Sequence, residues 1–228
     1  MKQNIFSCLP GALLPWYEKN KRDLPWRQDR DPYHIWVSEI MHQQTRVEAV
    51  KGYYARFIAA LPTISALANA DDDLLNKLWE GLGYYSRVRN MQKAAIQVME
   101  EHDGRIPAEH KALLKLKGIG PYTAGAIGSI AFSLPIPAVD GNVLRVMSRI
   151  TADPSDITLT ATKKEWEQCL TEIMPADAPG AFNQALMEIG ATVCIPNGAP
   201  KCELCPVRKY CEAYRRNQVT LFPVKAEK

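Results

Sequence analysis

The chain has 228 residues, 46% hydrophobic and 23% charged, with 28 Lys and Arg against 25 Asp and Glu for a net charge of +3. That length supports one large domain or two small lobes with a sizeable core, and the composition is ordinary for a soluble globular protein. So small a net charge excludes a polycation, and any nucleic-acid footprint must be a local basic patch.

The N-terminal stretch MKQNIFSCLPGALLPWYEK has a short apolar run broken by Pro10 and Pro15 and does not read as a signal peptide. No apolar stretch approaches the ~20 residues of a membrane span. The cytosol, where thiols stay reduced, is the expected compartment. Runs at helical spacing recur over residues 74–79, 88–99, 112–116, 143–150, 166–173 and 185–193, and no strand alternation persists. These patterns predict an all-α chain of ten or eleven short helices. Thr162 and Glu165 form a capping-box pair before Trp166. Proline joints near 25–32 and 135–137 mark the expected lobe boundaries.

The first dense motif is LPWRQDRDPYHIWVSEIMHQQTRV. Asp31-Pro32 is a helix-start signal, and Tyr33, Val37, Ile40 and Met41 make an apolar stripe. Glu39 lies close to that stripe. Held against apolar neighbours its carboxyl would be pushed towards the protonated form, which suits a general acid; on an open helix face it would be an ordinary solvated glutamate. Gln43, Gln44 and Thr45 are an uncharged polar cluster able to read base edges or simply to line a surface.

In LWEGLGYYSRVRN, Gly81 and Gly83 interrupt a helical pattern. A tight turn there would present Leu82 and Tyr84 beside Arg87 and Arg89, as an intercalating loop with phosphate contacts or as a plain helix corner. Gly118 and Gly120 then allow a hairpin whose backbone N–H groups bind a phosphate, although a Gly-x-Gly is also a common turn. Ala124, Gly125, Ala126, Gly128, Ser129 and Ala131 follow, small enough to admit another backbone. Asp140, before Gly-Asn-Val-Leu, reads as an N-cap, which does not exclude a catalytic role.

Cys8 and Cys169 stand alone and read as small buried hydrophobes. Cys194, Cys202, Cys205 and Cys211 are spaced C-x7-C-x2-C-x5-C, which in a reduced compartment means metal ligands. Zinc and a [4Fe–4S] cluster both use four cysteines; the single C-x2-C and unequal arms lean towards iron–sulfur. The tail also concentrates Lys201, Arg208, Lys209, Arg215, Arg216, Lys225 and Lys228 against three glutamates.

LPWR, WVSEIMHQQTRV, LWEGLGYYSRVRN, LKGIGPYTAGAI, VDGNVLRV, AFNQALMEIGA and the four-cysteine tail together resemble the helix-hairpin-helix DNA glycosylases that carry an iron–sulfur cluster, most closely adenine DNA glycosylases of the MutY type. The resemblance spans nearly the whole chain and covers that family's catalytic region. It implies a two-lobed fold: a six-helix lobe over 25–135 with the hairpin at about 112–133, and a cluster lobe from 1–24 plus 136–228 with the cysteine loop at 194–211. Mispaired double-stranded DNA would be bound across the junction by a monomer, with no membrane involved and the target nucleotide flipped out. The implied location is bacterial-type cytoplasm, at the nucleoid.

By the same resemblance Glu39 is the acid that protonates the adenine, Asp140 the carboxylate that stabilises the sugar cation, and Tyr122 and Asn142 border that site. Trp26, Arg27 and Gln184 recognise the base, Gln44, Leu82 and Tyr84 probe the stack, and Gly118 and Gly120 hold a phosphate. The four cysteines hold the [4Fe–4S] cluster. Relatives of the endonuclease III type carry a lysine at the Tyr122 position that forms a Schiff base; a phenol cannot, so the resemblance implies a monofunctional base excision repair hydrolase.

Three departures from the family pattern stand out. The first cysteine spacing is x7 rather than x6, and its loop carries Lys201 as the sole basic residue. His42 replaces the usual leucine. The sequence ends at FPVKAEK, where longer members continue into a domain that recognises 8-oxoguanine. A thymine or uracil glycosylase acting opposite guanine, and a non-catalytic iron–sulfur DNA-binding module, are the competing readings.

Overall fold

The computed structural model describes the backbone of residues 2–226 and the side chains of 5–226; Glu227 and Lys228 of the basic tail lie outside the described residues. Among these the fold is all helix and connection, with one isolated parallel bridge between Asp156 and Val224. The chain forms two compact units, Asp23–Phe132 and Met1–Arg22 with Ser133–Lys228. None of the described helices is long and apolar enough to cross a membrane. Helix α1 (Lys2–Asn20) belongs to the second unit.

The Asp23–Phe132 unit holds α2 (Pro32–His42), α3 (Val47–Ala60), α4 (Ile64–Ala68), α5 (Asp72–Trp79), α6 (Ser86–Glu101), α7 (His110–Leu113) and α8 (Pro121–Phe132). Their starts are chemically marked. Asp31 Oδ1 accepts from the Tyr33 amide at 2.8 Å with Pro32 in the first turn, Thr63 Oγ1 accepts from Ala66 N at 3.0 Å, and Asp71 Oδ1 from Leu74 N at 2.7 Å. Each cap satisfies an amide the helix itself leaves unpaired, typically worth ~1 kcal/mol. The core centres on Trp36, Phe57, Leu67, Leu75, Trp79 and Met91, all essentially inaccessible to solvent. Burying side chains of this size contributes roughly 1.5–3 kcal/mol each. Helix α2 is covered nearly all round, by α3 on one side and α8 on the other. Between Tyr33 and Met41 only His34 and Glu39 escape full burial.

The other unit pairs α1 with α9 (Gly141–Thr151), α10 (Thr160–Glu172), α11 (Pro179–Thr192) and α12 (Glu212–Arg215). Helix α1 runs on through Pro10 and Pro15. Each proline removes a helical hydrogen bond, a cost of about 3 kcal/mol in an isolated helix. Burial of Leu9, Leu13 and Tyr17, on a helix packed against α11, offsets it. At the end of that segment Arg22 donates to the fully buried Glu188 from Nε (2.6 Å), Nη2 (3.0 Å) and its own amide (3.1 Å). A carboxylate so deeply placed requires such pairing, because breaking one partner of a buried pair costs about 3–5 kcal/mol.

One local expectation is corrected in this unit. Helix α10 begins at Thr160 behind Leu159, and Thr162 is buried inside it rather than capping it. The approach is instead shaped by Asp156, whose Oδ1 accepts from both the amide and the hydroxyl of Thr158 at 2.8 Å.

Candidate functional site

In the Asp23–Phe132 unit the small side chains of α8 do a definite job. Ala124, Gly125, Ala126, Gly128 and Ser129 are all buried on a helix that packs directly against α2. Two backbones approach closely only where bulky side chains are missing. The consequence is a hydrogen bond between residues 83 positions apart: Tyr122 Oη donates to Glu39 Oε2 at 2.5 Å. A bond of that length holds the carboxyl in one orientation. Glu39 is half-buried on an otherwise covered helix, so it is not a solvated helix-face residue.

Trp26 and Arg27 lie in the short 3-10 turn Pro25–Arg27, with Trp26 buried and Arg27 half-buried. The Trp26 ring meets His42 edge-on at 4.6 Å and Tyr54 at 5.4 Å. His42 Nδ1 lies 2.7 Å from the Ser38 carbonyl oxygen. The substituted histidine therefore braces the turn that carries Arg27.

Gln44 and Tyr84 share an unusual state. Both are exposed, and both have left-handed backbones, with φ of 63° and 47°. Non-glycine residues held there cost about 1–3 kcal/mol each, and such strain concentrates at functional positions. Two sequence expectations change here. Leu82 is buried in the core at 7% exposure, whereas Tyr84 is 65% exposed, so the glycine turn presents the tyrosine and not the leucine. The terminal nitrogens of Arg87 are not left available for phosphates: they donate to the carbonyls of Ile40 (2.9 Å), Gln43 (2.6 Å), Leu82 (2.9 Å) and Gly83 (3.1 Å). They tie the Gln44 turn to the Tyr84 turn. Arg89 is exposed.

The two hairpin glycines differ in kind. Gly118 has φ of 78°, and a Cβ there would lie 2.9 Å from Asn90 Cβ. Gly120 has neither constraint, with nothing within 4 Å of a Cβ position on an exposed backbone. Gly118→Ala is therefore expected to cost about 1–2 kcal/mol of folding stability, more if Asn90 cannot shift. Gly120→Ala is expected to leave stability within about 0.5 kcal/mol but weaken duplex binding, because the new methyl occupies the open approach to the backbone. Urea unfolding and fluorescence anisotropy on the same two proteins separate the effects; unaltered binding by Gly120→Ala rules out that backbone as a contact.

In the other unit Asp140 caps α9. Its Oδ1 accepts from the Val143 amide at 2.8 Å and its Oδ2 from Asn142 Nδ2 at 2.7 Å. Burial raises its pKa above the ordinary 3.8, and the hydrogen bonds from Val143 and Asn142 only partly counter this. The chain from Pro135 to Val139 that delivers it is held by Asn183, which donates to the Ile136 carbonyl (2.8 Å) and accepts from Ala138 N (3.1 Å). Gln184 is half-buried on α11, its amide 3.3 Å from the Gly180 carbonyl.

Arg145 and Arg149, buried one turn apart on α9, join the Asp140 and cysteine regions, and sequence reading passed them over. Arg145 Nη2 donates to Asn142 Oδ1 (2.9 Å) and to the Gly190 carbonyl (2.7 Å), and its Nε to the Cys194 carbonyl (2.9 Å). Arg149 Nη1 donates to Cys194 Sγ (3.3 Å) and to the Ile195 carbonyl (2.9 Å). Hydrogen bonds thus run from Asp140 through Asn142 and Arg145 to the first cysteine. Gly190 is required at the crossing, since a Cβ there would lie 2.7 Å from that of Asn142. The available signal was two arginines four apart in the otherwise apolar VLRVMSRI.

Cys194, Cys202, Cys205 and Cys211 line one hollow together with Val146, Arg149 and other side chains of α9, α11 and the tail. All four are free thiols. The x7 segment turns at Gly198 (φ 77°) and closes through Lys201 N to the Val193 carbonyl at 2.9 Å, which returns Cys202 to the end of α11. Burial pushes Cys205 up to about 12 and Cys211 to about 11, with the neighbouring thiols adding to both. Four thiolates cannot coexist here without a positive partner, so the donor set fits a cationic metal group. Among the described residues no three His, Cys, Asp or Glu side chains converge on a single ion position. The four cysteines line a hollow rather than meeting at a point.

A profile of the HhH-GPD superfamily of base excision DNA repair proteins matches residues 37–175. The chain is 46% identical over 90% of its length to the adenine DNA glycosylase of Mus musculus, spanning 42% of that protein. It is 37% identical over 98% of its length to the adenine DNA glycosylase of Buchnera aphidicola subsp. Schizaphis graminum (strain Sg), spanning 64% of it. The chain thus covers about two-fifths of its mammalian relatives. Its fold is similar to that of a thermostable thymine-DNA glycosylase, with a TM-score of 0.84 and 28% identity over 94% of this chain and 99% of the other. The fold also matches that of endonuclease III trapped on DNA, at a TM-score of 0.78.

Proposed function

Since the chain belongs to the HhH-GPD superfamily of base excision DNA repair proteins, we propose that it is a monofunctional DNA glycosylase that removes adenine mispaired with 8-oxoguanine or guanine. The observation that carries the chemistry is the half-buried Glu39 held by the Tyr122 phenol at 2.5 Å. Adenine is a poor leaving group, and a proton delivered by Glu39 lets it depart with the electrons of the N-glycosidic bond. The sugar is left cationic, and the Asp140 carboxylate stabilises it until water adds at C1′ to give an abasic site. Asn142 and Val143 hold Asp140 for that task. Tyr122 offers no amine for a Schiff base, so the strand stays intact. Tyr84 and Gln44, strained and exposed, would probe the stack beside the mispair, with Arg27, Trp26 and Gln184 reading the base. Leu82 takes part only from within the core, as support for the Tyr84 turn.

Identities of 37–46% to adenine DNA glycosylases support adenine as the first reading. The likeness to a thymine-DNA glycosylase favours thymine or uracil opposite guanine as the second reading. Excision from A:8-oxoguanine, A:G, T:G and U:G duplexes assayed side by side decides between them. Adenine should be released from the first two, with strand breaks appearing only after hot alkali. Release of thymine or uracil alone would replace the reading, and no release from any duplex would favour a DNA-binding module.

The same reading assigns a [4Fe–4S] cluster to Cys194, Cys202, Cys205 and Cys211. Such a cluster gives each thiolate its own iron, which suits four cysteines spread around a hollow; one zinc would need all four sulfurs about 2.3 Å from a single point. When bound, the cluster would take up the thiolate charge and cross-link the tail to the α11 end. Purified protein is expected to be brown, with broad absorbance near ~400 nm and about four irons per chain. A colourless protein carrying one equivalent of zinc would overturn the assignment.

A further inference from the structure

Beside the glycine turn, the Asp23–Phe132 unit contains a cavity of about 60 Å³ whose polar lining is Trp36, Gln43, Arg87, Asn90, Lys117 and Gly118. Two of its donors have no acceptor. The Trp36 ring is fully buried, yet its Nε1–H makes no hydrogen bond, and Arg87 Nε–H is buried and equally unmatched. Both groups can only donate. Buried donors are almost always paired, so two orphans on residues that line one cavity point to a missing acceptor. Arg87 cannot turn to meet the need elsewhere, because its terminal nitrogens are spent on the carbonyls of Ile40, Gln43, Leu82 and Gly83.

The charge of the lining decides what kind of acceptor fits. Arg87 and Lys117 are cationic and no lining residue is acidic. A water molecule could accept from both donors, but an anion would also draw on the charge of Arg87, held here among carbonyls, and of the exposed Lys117. The volume suits a halide or the tip of a larger anion. We propose that the cavity is a small-anion site, in which one halide-sized ion or a single phosphate oxygen accepts from Trp36 Nε1 and Arg87 Nε. Occupancy would reinforce the point where Arg87 joins the Gln44 and Tyr84 turns, and where Gly118 packs on Asn90. The site does not depend on which base the protein removes.

The test follows the indole ¹⁵N–¹H resonance of Trp36 in the full chain while sodium bromide replaces sodium gluconate at constant ionic strength. A saturable shift of that resonance is expected, with Trp79, whose indole already donates to the Gly83 carbonyl at 3.0 Å, moving little. A Trp36 resonance that stays still, or drifts linearly with every other indole, would mean that water fills the cavity and would overturn the proposal. Trp36→Phe assigns the peak by its disappearance; should that variant not fold, triple-resonance assignment of the unmodified protein serves. Repeating the titration with saturating duplex DNA separates the two sources. Loss of the bromide response identifies a DNA phosphate oxygen as the occupant, and its persistence identifies a free ion.

Discussion

Glu39→Gln is expected to lower single-turnover adenine release by about 10²–10⁴-fold while leaving duplex affinity unchanged. The amide is nearly isosteric with the carboxyl and its oxygen still accepts from Tyr122 Oη, now 2.5 Å from Glu39 Oε2. The packing of α2 on α8 therefore survives, and only the transferable proton is lost. Tyr122→Phe makes the complementary measurement. It keeps the proton and the ring but removes the phenol's hold on the carboxyl, so its loss should be smaller than that of Glu39→Gln. Gel-shift binding and rapid-quench excision on the same duplex are the readouts. A Glu39→Gln protein within tenfold of the unmodified rate would show that the acid is another group.

Asp140→Asn should give a loss of the same order, with the fold intact. Asparagine caps helices as well as aspartate does, so the bond from Val143 N is retained. The contact with Asn142 Nδ2 becomes donor facing donor, a cost of about 1 kcal/mol. Removing a desolvated charge works the other way, because burial raises the Asp140 pKa. A carboxyl whose folded-state pKa is raised binds its proton more tightly in the native state. It adds stability at low pH and gives it up as pH climbs through the folded value. At neutral pH the variant should therefore unfold within about 1 kcal/mol of the unmodified protein. Catalysis needs the ionised form, so the acid limb of the single-turnover rate should fall away at a pH above the ordinary 3.8 of an aspartate. Loss of stability in parallel with loss of activity would reduce Asp140 to a helix cap.

Much of this was legible in the linear sequence because the physics is local. The Asp31-Pro32 start, the Asp140 cap and the need for glycine at 118 depend on a few adjacent backbone groups, and the residue types at those positions satisfy them. The helical class follows from spacing alone, and the four cysteines that the sequence singles out line one hollow. The capping-box signal at Thr162 and Glu165 failed for the opposite reason. The Asp156–Thr158 turn and the burial of Thr162 place the helix start three residues earlier, with Leu159 at the cap position.

What the tertiary structure alone decided concerns which way a side chain faces and what it meets at long range. Leu82 and Tyr84 sit on the same turn, and only packing against Trp79 and its neighbours sends the leucine inward and leaves the tyrosine exposed. The terminal nitrogens of Arg87 look like phosphate ligands until the carbonyls of Ile40, Gln43, Leu82 and Gly83 close around them. Arg145 carries no sign of its link from Asn142 to Cys194, since its partners lie up to 49 residues away. A sequence specifies short-range conformation through steric and hydrogen-bonding preferences that each residue carries with it. The pairing of Glu39 with Tyr122 arises only when a row of small residues lets two distant helices touch.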